Sequence, residues 1–339
     1  MSKLPLLFLI PWILHPAPAA AEIRVAATLQ ILADMTRKIG GPRVSVQALA
    51  KGTEDPHYVI PRPSLMAAVS RADLFVEMGL QFELWTERLL ETAGNDNVRP
   101  GRPGHVYASD GVPVLEVPDR ITRAEGDIHA AGNPHVWLSP LNGIVLAQNI
   151  AAGLIRVDPA HAAGYEKNLV IFSNAVYHRL FGDTLIGRYG IGRLEESFRR
   201  GELHAFLQAE NSGGLAGGWI RSAAGLRGMK IVTYHREWSY LARDFGLEVR
   251  ATIEEKPGIP PSAAHRDRIL ELMKQEGIGV IVLAPFEVKK ISERIAALAR
   301  ARTVVIPANV NGGSGAADFF SLFDAILAEL AAAAGSGKG

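Results

Sequence analysis

Two proline–histidine turns of similar composition are the first residues in the sequence that could do chemistry. His57 lies in EDPHYVIPRPS, and His135 lies in GNPHVWLSP. Proline fixes its own φ and biases the preceding residue to an extended form, so each turn holds its imidazole in a defined direction. A third histidine, His235, ends the apolar run KIVTYH directly before the helical pattern WSYLARDFGL.

These three imidazoles together suit a first-row divalent metal ion. Neutral imidazole nitrogens are ligands of zinc, which favours tetrahedral geometry at about 2.0–2.1 Å. In open α/β sheets, ligands bind beyond the carboxyl ends of the strands. His235 is at the end of one predicted strand and His57 is on the loop after another. A lone histidine is more often structural, so the metal-site hypothesis depends on the set of three.

Strand-like and helical patterns alternate on both sides of a helical middle. Runs rich in β-branched residues predict strands, and apolar residues at helical spacing predict helices between them. The predicted strands are 22–27, 44–49, 74–78, 229–234, 248–253, 279–283 and 303–306. The alternation is typical of parallel βαβ units and therefore indicates an α/β protein.

The middle of the chain predicts a connection between two lobes. Helical patterns at 141–155 and 160–181 are separated by Asp158 and Pro159, which are expected to cap and begin the second helix. The glycine-rich run 211–219 lacks the Lys-Ser/Thr of a phosphate loop and is expected to be a flexible loop. The predicted division is a first lobe, a connecting helix, a second lobe and a disordered tail, at 22–157, 158–183, 184–334 and 335–339.

The N-terminus predicts export. Lys3, an apolar core at 4–14 and Ala19-Ala20-Ala21 have the features of a signal peptide spanning 1–21, and the core is too short to cross a bilayer. The sequence contains no cysteine, which excludes disulfides and thiolate ligands and leaves no residue to carry a lipoprotein's lipid. A net charge of +1 gives no indication of a nucleic-acid partner. We therefore expect a free periplasmic protein.

The chain resembles the zinc/manganese group of metal-binding substrate-binding proteins of ABC importers. The resemblance rests on four segments taken in order: EDPHYVIPRPS, GNPHVWLSP, TYHREWSYLARDFGLEV and EEKPGIPPS. The resemblance extends from about Glu22 to Leu330. It implies two Rossmann-like lobes with mostly parallel sheets, joined by one long rigid helix, with the metal in the cleft between them. It places metal ligands at His57 and His135 in the first lobe and at His235 in the second. Manganese-type members tend to have a carboxylate at the third position, so a nitrogen there favours zinc.

The sequence leaves the fourth ligand open. Many members of the family have a ligating aspartate near the C-terminal end, where this chain reads IPANVNGGSGAADFF. The alternatives are water, Asn309, Asp318, Glu54 and Glu255, and Asp318 is also in position to cap a helix. The family motif WLDP is WLSP here, and Ser139 is expected to cap the following helix.

The segment before the second Pro-His turn is a second departure from the family. Many zinc-type members insert a long loop rich in histidine and acidic residues there, whereas RAEGDIHAAGNPH is short. His129 in this segment is either a transient metal-collecting residue or an ordinary loop histidine.

The predicted function is capture of Zn²⁺ in the periplasm and its delivery to the membrane permease of an ABC importer, without catalysis. Mn²⁺ is the second choice of metal, a periplasmic metallochaperone is a further expected partner, and the expected state is a monomer. Affinity should fall below about pH 6.5, where free imidazole becomes protonated.

Two alternatives remain at this point. A receptor for a metal chelate such as haem or a siderophore would need a roomy cleft with aromatic or arginine contacts. A zinc hydrolase would need a general base beside a metal-bound water, and the sequence contains neither an HExxH motif nor a GxSxG motif.

Overall fold

Two parallel sheets form the framework of the computed structural model, which describes residues 22–118, 130–254 and 258–335. Each sheet has four strands, in the order β2-β1-β3-β4 in the first and β6-β5-β7-β8 in the second. Every pairing is parallel. The predicted α/β class with two lobes of parallel strands is therefore confirmed, whereas the predicted signal peptide lies outside the described residues.

All seven predicted strands are present, within one or two residues of their predicted ends. The strands are β1 (Ile23–Ala27), β2 (Val44–Ala48), β3 (Leu74–Glu77), β4 (His105–Tyr107), β5 (Lys230–Thr233), β6 (Glu248–Thr252), β7 (Val280–Leu283) and β8 (Arg302–Val305). Strand β4 was not predicted, since three residues are too few to establish an alternating pattern. All residues of β3 and β7 are buried, as expected for strands covered on both faces.

Helices cover the two sheets and fill the space between them. They are α1 (Gln30–Gly40), α2 (Pro63–Ser70), α3 (Trp85–Ala93), α4 (Pro140–Val157), α5 (Ala162–Phe181), α6 (Asp183–Tyr189), α7 (Ile191–Arg199), α8 (Leu203–Ala209), α9 (Gly218–Ser222), α10 (Ser239–Phe245), α11 (Ala263–Glu276), α12 (Lys289–Ala299) and α13 (Phe319–Gly335). None of the helices in the described ranges combines the length and the apolar character needed to cross a bilayer.

The longest helix, α5, lies in the chain between the two sheets and contacts α1 and α4 on one side and α9 on the other. It begins at Ala162, after a short 3₁₀ turn at Pro159–His161. Asp158 does not cap it, contrary to expectation. Its carboxylate instead accepts hydrogen bonds from Tyr165 Oη at 2.6 Å and Arg43 Nη2 at 3.2 Å, which link the end of α4 to α5 and to the residue before β2.

Ser139 also differs from its predicted role. It occupies the N-cap position of α4, but its hydroxyl makes no capping hydrogen bond. The hydroxyl is fully buried and faces the guanidinium of Arg243 on α10, with 3.5 Å between Oγ and Nη2. A serine at this position therefore serves the contact between the first lobe and α10 rather than the helix end.

The glycine-rich run 211–219 packs closely at its end, so the prediction of a flexible loop is wrong there. Helix α9 begins at Gly218, and a Cβ atom at that position would lie 2.0 Å from the carbonyl oxygen of Arg179. Gly218 also has a φ of +52°. Only glycine allows α9 to approach the C-terminal end of α5 this closely.

Candidate metal centre

His57, His135 and His235 converge at one point. Their ring centroids form a triangle with 5.2 Å on each side, and one nitrogen of each ring lies within 4.8 Å of the corresponding nitrogens of the other two. His57 lies on the loop after β2, His135 lies before the 3₁₀ turn that leads into α4, and His235 follows β5. The triangle therefore joins two residues of the first lobe to one of the second.

The two first-lobe histidines are each held by a three-residue unit of the same kind, with Asp or Asn two residues before the histidine. In Asp55-Pro56-His57, the Oδ1 atom of Asp55 accepts hydrogen bonds from the backbone N–H of His57 at 3.0 Å and from its Nδ1 at 2.8 Å. In Asn133-Pro134-His135, Oδ1 of Asn133 accepts the same two bonds at 3.0 and 2.9 Å. An acceptor at Nδ1 places the ring proton there and leaves Nε2 to present its lone pair to a metal.

His235 is oriented by a residue from a neighbouring strand. Its Nδ1 lies 2.6 Å from Oε2 of Glu254, which is the second residue after β6. Strands β5 and β6 are parallel neighbours, so their carboxyl ends meet at one edge of the sheet. The second carboxylate oxygen of Glu254 accepts the backbone N–H of Gly258 at 2.9 Å. The glutamate therefore ties the third histidine to the loop that follows β6.

The Nε2 atom of His235 is buried and has no hydrogen-bond partner among the described residues. Leaving a buried polar atom unsatisfied costs about 1–3 kcal/mol. A metal ion bound at the centre of the triangle would satisfy that nitrogen, so this atom fits a metal ligand better than a structural histidine.

Aromatic rings form an apolar wall behind the first-lobe pair. Phe82 packs edge-on against His57 and His135, with centroid distances of 4.6 and 5.2 Å, and Trp137 lies 5.2 Å from His135. Trp137 is held in turn by a hydrogen bond from its Nε1 to the carbonyl of Ala308 at 2.8 Å. The wall limits rotation of both imidazoles and keeps water from their faces.

The turn that carries Phe82 is strained. Leu80 and Gln81 are consecutive non-glycine residues with φ values of 56° and 59°. Such left-handed conformations cost of order 1–3 kcal/mol each and persist only where neighbours impose them. Here the buried carboxylate of Glu83 accepts the backbone N–H groups of Met78 and Gly79 at 2.8 and 3.2 Å. Glu83 therefore positions the aromatic wall through the turn.

The environment acts differently on the histidines of the two lobes. Burial lowers the pKa of His57, and the opposing hydrogen bond to Asp55 does not restore it. Burial also tends to lower the pKa of His235, but the hydrogen bond to Glu254 and the nearby charge of Glu237 raise it above its ordinary value. Protons therefore compete with a metal more strongly at His235 than at His57.

Two buried carboxyl groups lie close to His235. Burial raises the pKa of Glu237 to about 7, and burial together with the charge of Glu237 raises the pKa of Glu287 well above its ordinary value. The Oε1 atom of each is buried without a hydrogen-bond partner among the described residues. Neither residue is predicted from the sequence as part of the site.

Asn309 and Glu54, two of the predicted alternatives for the fourth ligand, have other contacts. Oδ1 of Asn309 accepts the backbone N–H groups of Ile31 and Val310 at 3.0 and 2.9 Å, and so satisfies the start of α1. Oε2 of Glu54 accepts the backbone N–H of Lys51 at 3.2 Å. Neither is a member of the histidine triangle.

Asp318, a third alternative for the fourth ligand, also has other partners. Its Oδ1 accepts the backbone N–H of Ser321 at 2.8 Å, which caps α13, and its Oδ2 pairs with Lys38 Nζ at 2.9 Å. The remaining alternative, Glu255, lies outside the described residues, as does His129. Within 22–118, 130–254 and 258–335, no carboxylate joins the three histidines.

A cavity of about 290 Å³ opens beside the triangle. Asp55, Glu254 and Glu287 contribute carboxyl groups to its lining, and Tyr58 and Tyr234 contribute phenols. Its lining includes no arginine or lysine among the described residues. Such a lining attracts cations and repels anions.

Sequence comparisons identify related proteins for most of the chain. The family model described as "ZnuA: Zinc-uptake complex component A periplasmic" matches residues 25–177 and 216–333. The metal ABC transporter substrate-binding lipoprotein SsaB of Streptococcus sanguinis is 33% identical over 154 residues, which is 44% of this chain and 47% of that protein. The chain thus matches about half the length of this relative. The iron-binding protein YfeA of Yersinia pestis is 25% identical over 270 residues, 79% of this chain and 71% of that protein.

Solved structures have the same fold. A zinc-bound deletion mutant of ZnuA superposes with a TM-score of 0.67 at 25% identity, over 92% of this chain and 98% of the other. The manganese-bound periplasmic metal-binding protein of Candidatus Liberibacter asiaticus superposes with a TM-score of 0.65 at 18% identity, over 92% of this chain and 100% of the other. The second comparison bears on the fold alone.

Proposed function

We propose that this chain, which belongs to the ZnuA family of zinc-uptake complex components, captures Zn²⁺ in the periplasm and delivers it to the permease of an ABC importer. The ligands in this proposal are His57, His135 and His235. The observation that carries it is the shared arrangement of the three rings, each of which has an oxygen at Nδ1 and thereby directs Nε2 to a common centre.

Zinc is the metal in this proposal because the described donors are all imidazole nitrogens. Manganese favours oxygen ligands, whereas imidazole suits zinc. Relatives of this chain are named as manganese-binding and iron-binding proteins, so the metal has to be established for this chain itself. In the proposal, water completes the coordination sphere.

The ion is the transported substrate, so the site has to bind it reversibly. Two ligands come from the first lobe and one from the second, so a bound ion links the lobes across their contact. Asp55 and Glu254 add negative charge around three neutral ligands, which offsets the charge of a divalent ion. The acidic cavity beside the triangle supports a free cation as the ligand and argues against haem or an anionic siderophore.

The proposed setting is the periplasm, with an ABC permease as the partner and a metallochaperone as a further one. The curated relatives include proteins named as lipoproteins. This sequence has no cysteine to accept such a lipid, so we propose a protein without a lipid anchor. We propose separately that it acts as a monomer.

Metal analysis and competition titrations with Zn²⁺ and Mn²⁺ test the proposal. We expect a single tightly bound ion with zinc preferred. Replacing any of the three histidines with alanine should weaken zinc binding by more than about 100-fold, since even outer-shell changes cost 10–100-fold. His178→Ala, at an exposed position on α5, is the matched control and should bind zinc as the parent does.

Unchanged affinity in His235→Ala would refute the site. Equal or stronger binding of manganese would refute the choice of metal while leaving the site intact.

A further inference from the structure

A second cavity lies between a segment that the zinc-uptake family model does not match and the rest of the second lobe. The family model does not match residues 178–215, which include helices α6, α7 and α8. A cavity of about 200 Å³ lies between α7 and α8 on one side and α9 and α10 on the other. It shares no lining residue with the metal centre or with the cavity beside it.

The walls of this cavity are mostly apolar, although His204, Gln208 and Asp244 also line it. Phe198, Leu203 and Leu207 line it from α7 and α8, and Ala223 and Phe245 line it from the rest of the second lobe. All five residues are buried. The space is somewhat larger than the roughly 150 Å³ of an apolar cavity known to bind benzene.

The rim of the cavity is basic. Arg243 and Arg227 are exposed residues in its lining. The guanidinium of Arg243 is neutralised by Asp244, 2.6 Å away, whose carboxylate is itself only 1% exposed. No hydrogen bond or ion pair involves Arg227 among the described residues, so its charge is available to a ligand.

The side chain of Arg227 lies close to the backbone of Gly246 at the rim. A Cβ atom at Gly246 would lie 3.1 Å from the arginine's Cγ and 3.2 Å from its Nη1. The guanidinium therefore lies beside Gly246, within the lining of the cavity. A carboxylate at the rim could accept two parallel hydrogen bonds from it.

We propose that this cavity binds a small organic carboxylate, with an aromatic or branched apolar body about the size of benzoate. The body fills the apolar space between α7, α8, α9 and α10, and the carboxylate pairs with Arg227. The site is separate from the zinc site and does not depend on the proposed metal function.

Calorimetric titration with benzoate, benzyl alcohol and benzylamine tests the inference, because the three share one apolar body and differ in the charge of the head group. Benzoate should bind at least about tenfold more tightly than benzyl alcohol, because its carboxylate forms charge-assisted hydrogen bonds with Arg227. Arg227→Gln should remove that difference, and Ala224→Leu, which adds bulk to the lining, should weaken both ligands.

Arg221→Gln is the matched control, since Arg221 is exposed on α9 and is not part of the lining. It should bind benzoate as the parent does. Failure of benzoate to bind, or equal binding of benzylamine, would overturn the inference. Zinc titration of the same variants keeps the two sites apart, because each variant should retain the parent's zinc affinity.

Discussion

The histidines of the two lobes reach one point by different means. In the first lobe, His57 and His135 each depend on an oxygen two residues earlier, so the ring and its partner belong to one turn. In the second lobe, His235 depends on Glu254, which comes from the next strand of the sheet. The first-lobe ligands are therefore oriented within their own turns, whereas the second-lobe ligand is oriented only once β5 and β6 have paired.

The largest effect of an outer-shell change should come from Glu254→Ala. The hydrogen bond from His235 is the shortest of the three, at 2.6 Å, and its loss leaves a buried ring nitrogen without an acceptor. We expect zinc affinity to fall by about 100-fold in competition titrations with a chelator dye. Glu254→Gln keeps an acceptor oxygen and should recover most of the loss; equal losses in the two variants would show that the hydrogen bond does not matter.

Exchange of Asn and Asp should have different effects in the two Asx-Pro-His units, Asp55-Pro56-His57 and Asn133-Pro134-His135, where Asx is Asp or Asn. Nδ2 of Asn133 donates hydrogen bonds to Glu116 Oε2 at 3.0 Å and to the Arg236 carbonyl at 2.9 Å. Asn133→Asp removes both donors and places a carboxylate beside another, so the free energy of unfolding should fall by about 2 kcal/mol.

Asp55→Asn, the reciprocal exchange, keeps Oδ1 as the acceptor of both hydrogen bonds from His57, so it should lower the free energy of unfolding by less than Asn133→Asp does. Chemical denaturation of both variants without metal measures the difference. Equal stability of the two would contradict the cross-lobe role of Asn133.

Removing the Asx oxygen altogether should weaken metal binding to a similar, moderate degree in both units. In Asp55→Ala and in Asn133→Ala, the proline still biases the turn, so we expect a loss of zinc affinity of about tenfold in each. Asp96→Ala, an exposed carboxylate on a surface turn, is the control. A loss confined to one of the two units would show that they are not equivalent.

The smallest effect should lie at the other contact between the lobes, where Lys38 of α1 pairs with Asp318 before α13. Partial burial tends to raise the pKa of Asp318, but hydrogen bonds from Ser321 and Lys38 lower it to about 2. A carboxyl group with a depressed folded-state pKa stabilises the fold above its unfolded pKa, and this contribution is lost as pH falls from about 4 to about 2.

Because this pair is partly exposed, its contribution should not exceed about 1 kcal/mol. Lys38→Gln should therefore reduce the acid dependence of unfolding slightly in thermal melts between pH 5 and pH 2, without changing zinc affinity at neutral pH. An unchanged acid dependence would show that Ser321 alone accounts for the low pKa.

Much of the fold and part of the site could be predicted from the sequence because they depend on local signals. The alternation of strand and helix patterns predicts seven of the eight strands, and the proline turns identify His57 and His135. The repeated Asx before each Pro-His is equally local and was visible in the sequence, yet its significance emerges only from the matching distances. The lobe boundaries and the role of His129 stay predictions.

Other features depend on residues that are distant in sequence and adjacent only in the folded chain. The sequence alone determined that two imidazoles, His57 and His135, would lie in rigid proline turns, and that His57 and His235 would lie at or beyond strand ends in an α/β protein. Tertiary structure alone decided that Glu254 orients His235, that Asn309 and Asp318 are used elsewhere, and that α7 and α8 enclose an apolar cavity. The physical reason is that hydrogen bonds within a turn are set by a few dihedral angles, whereas contacts between strands and helices exist only after the whole core has packed.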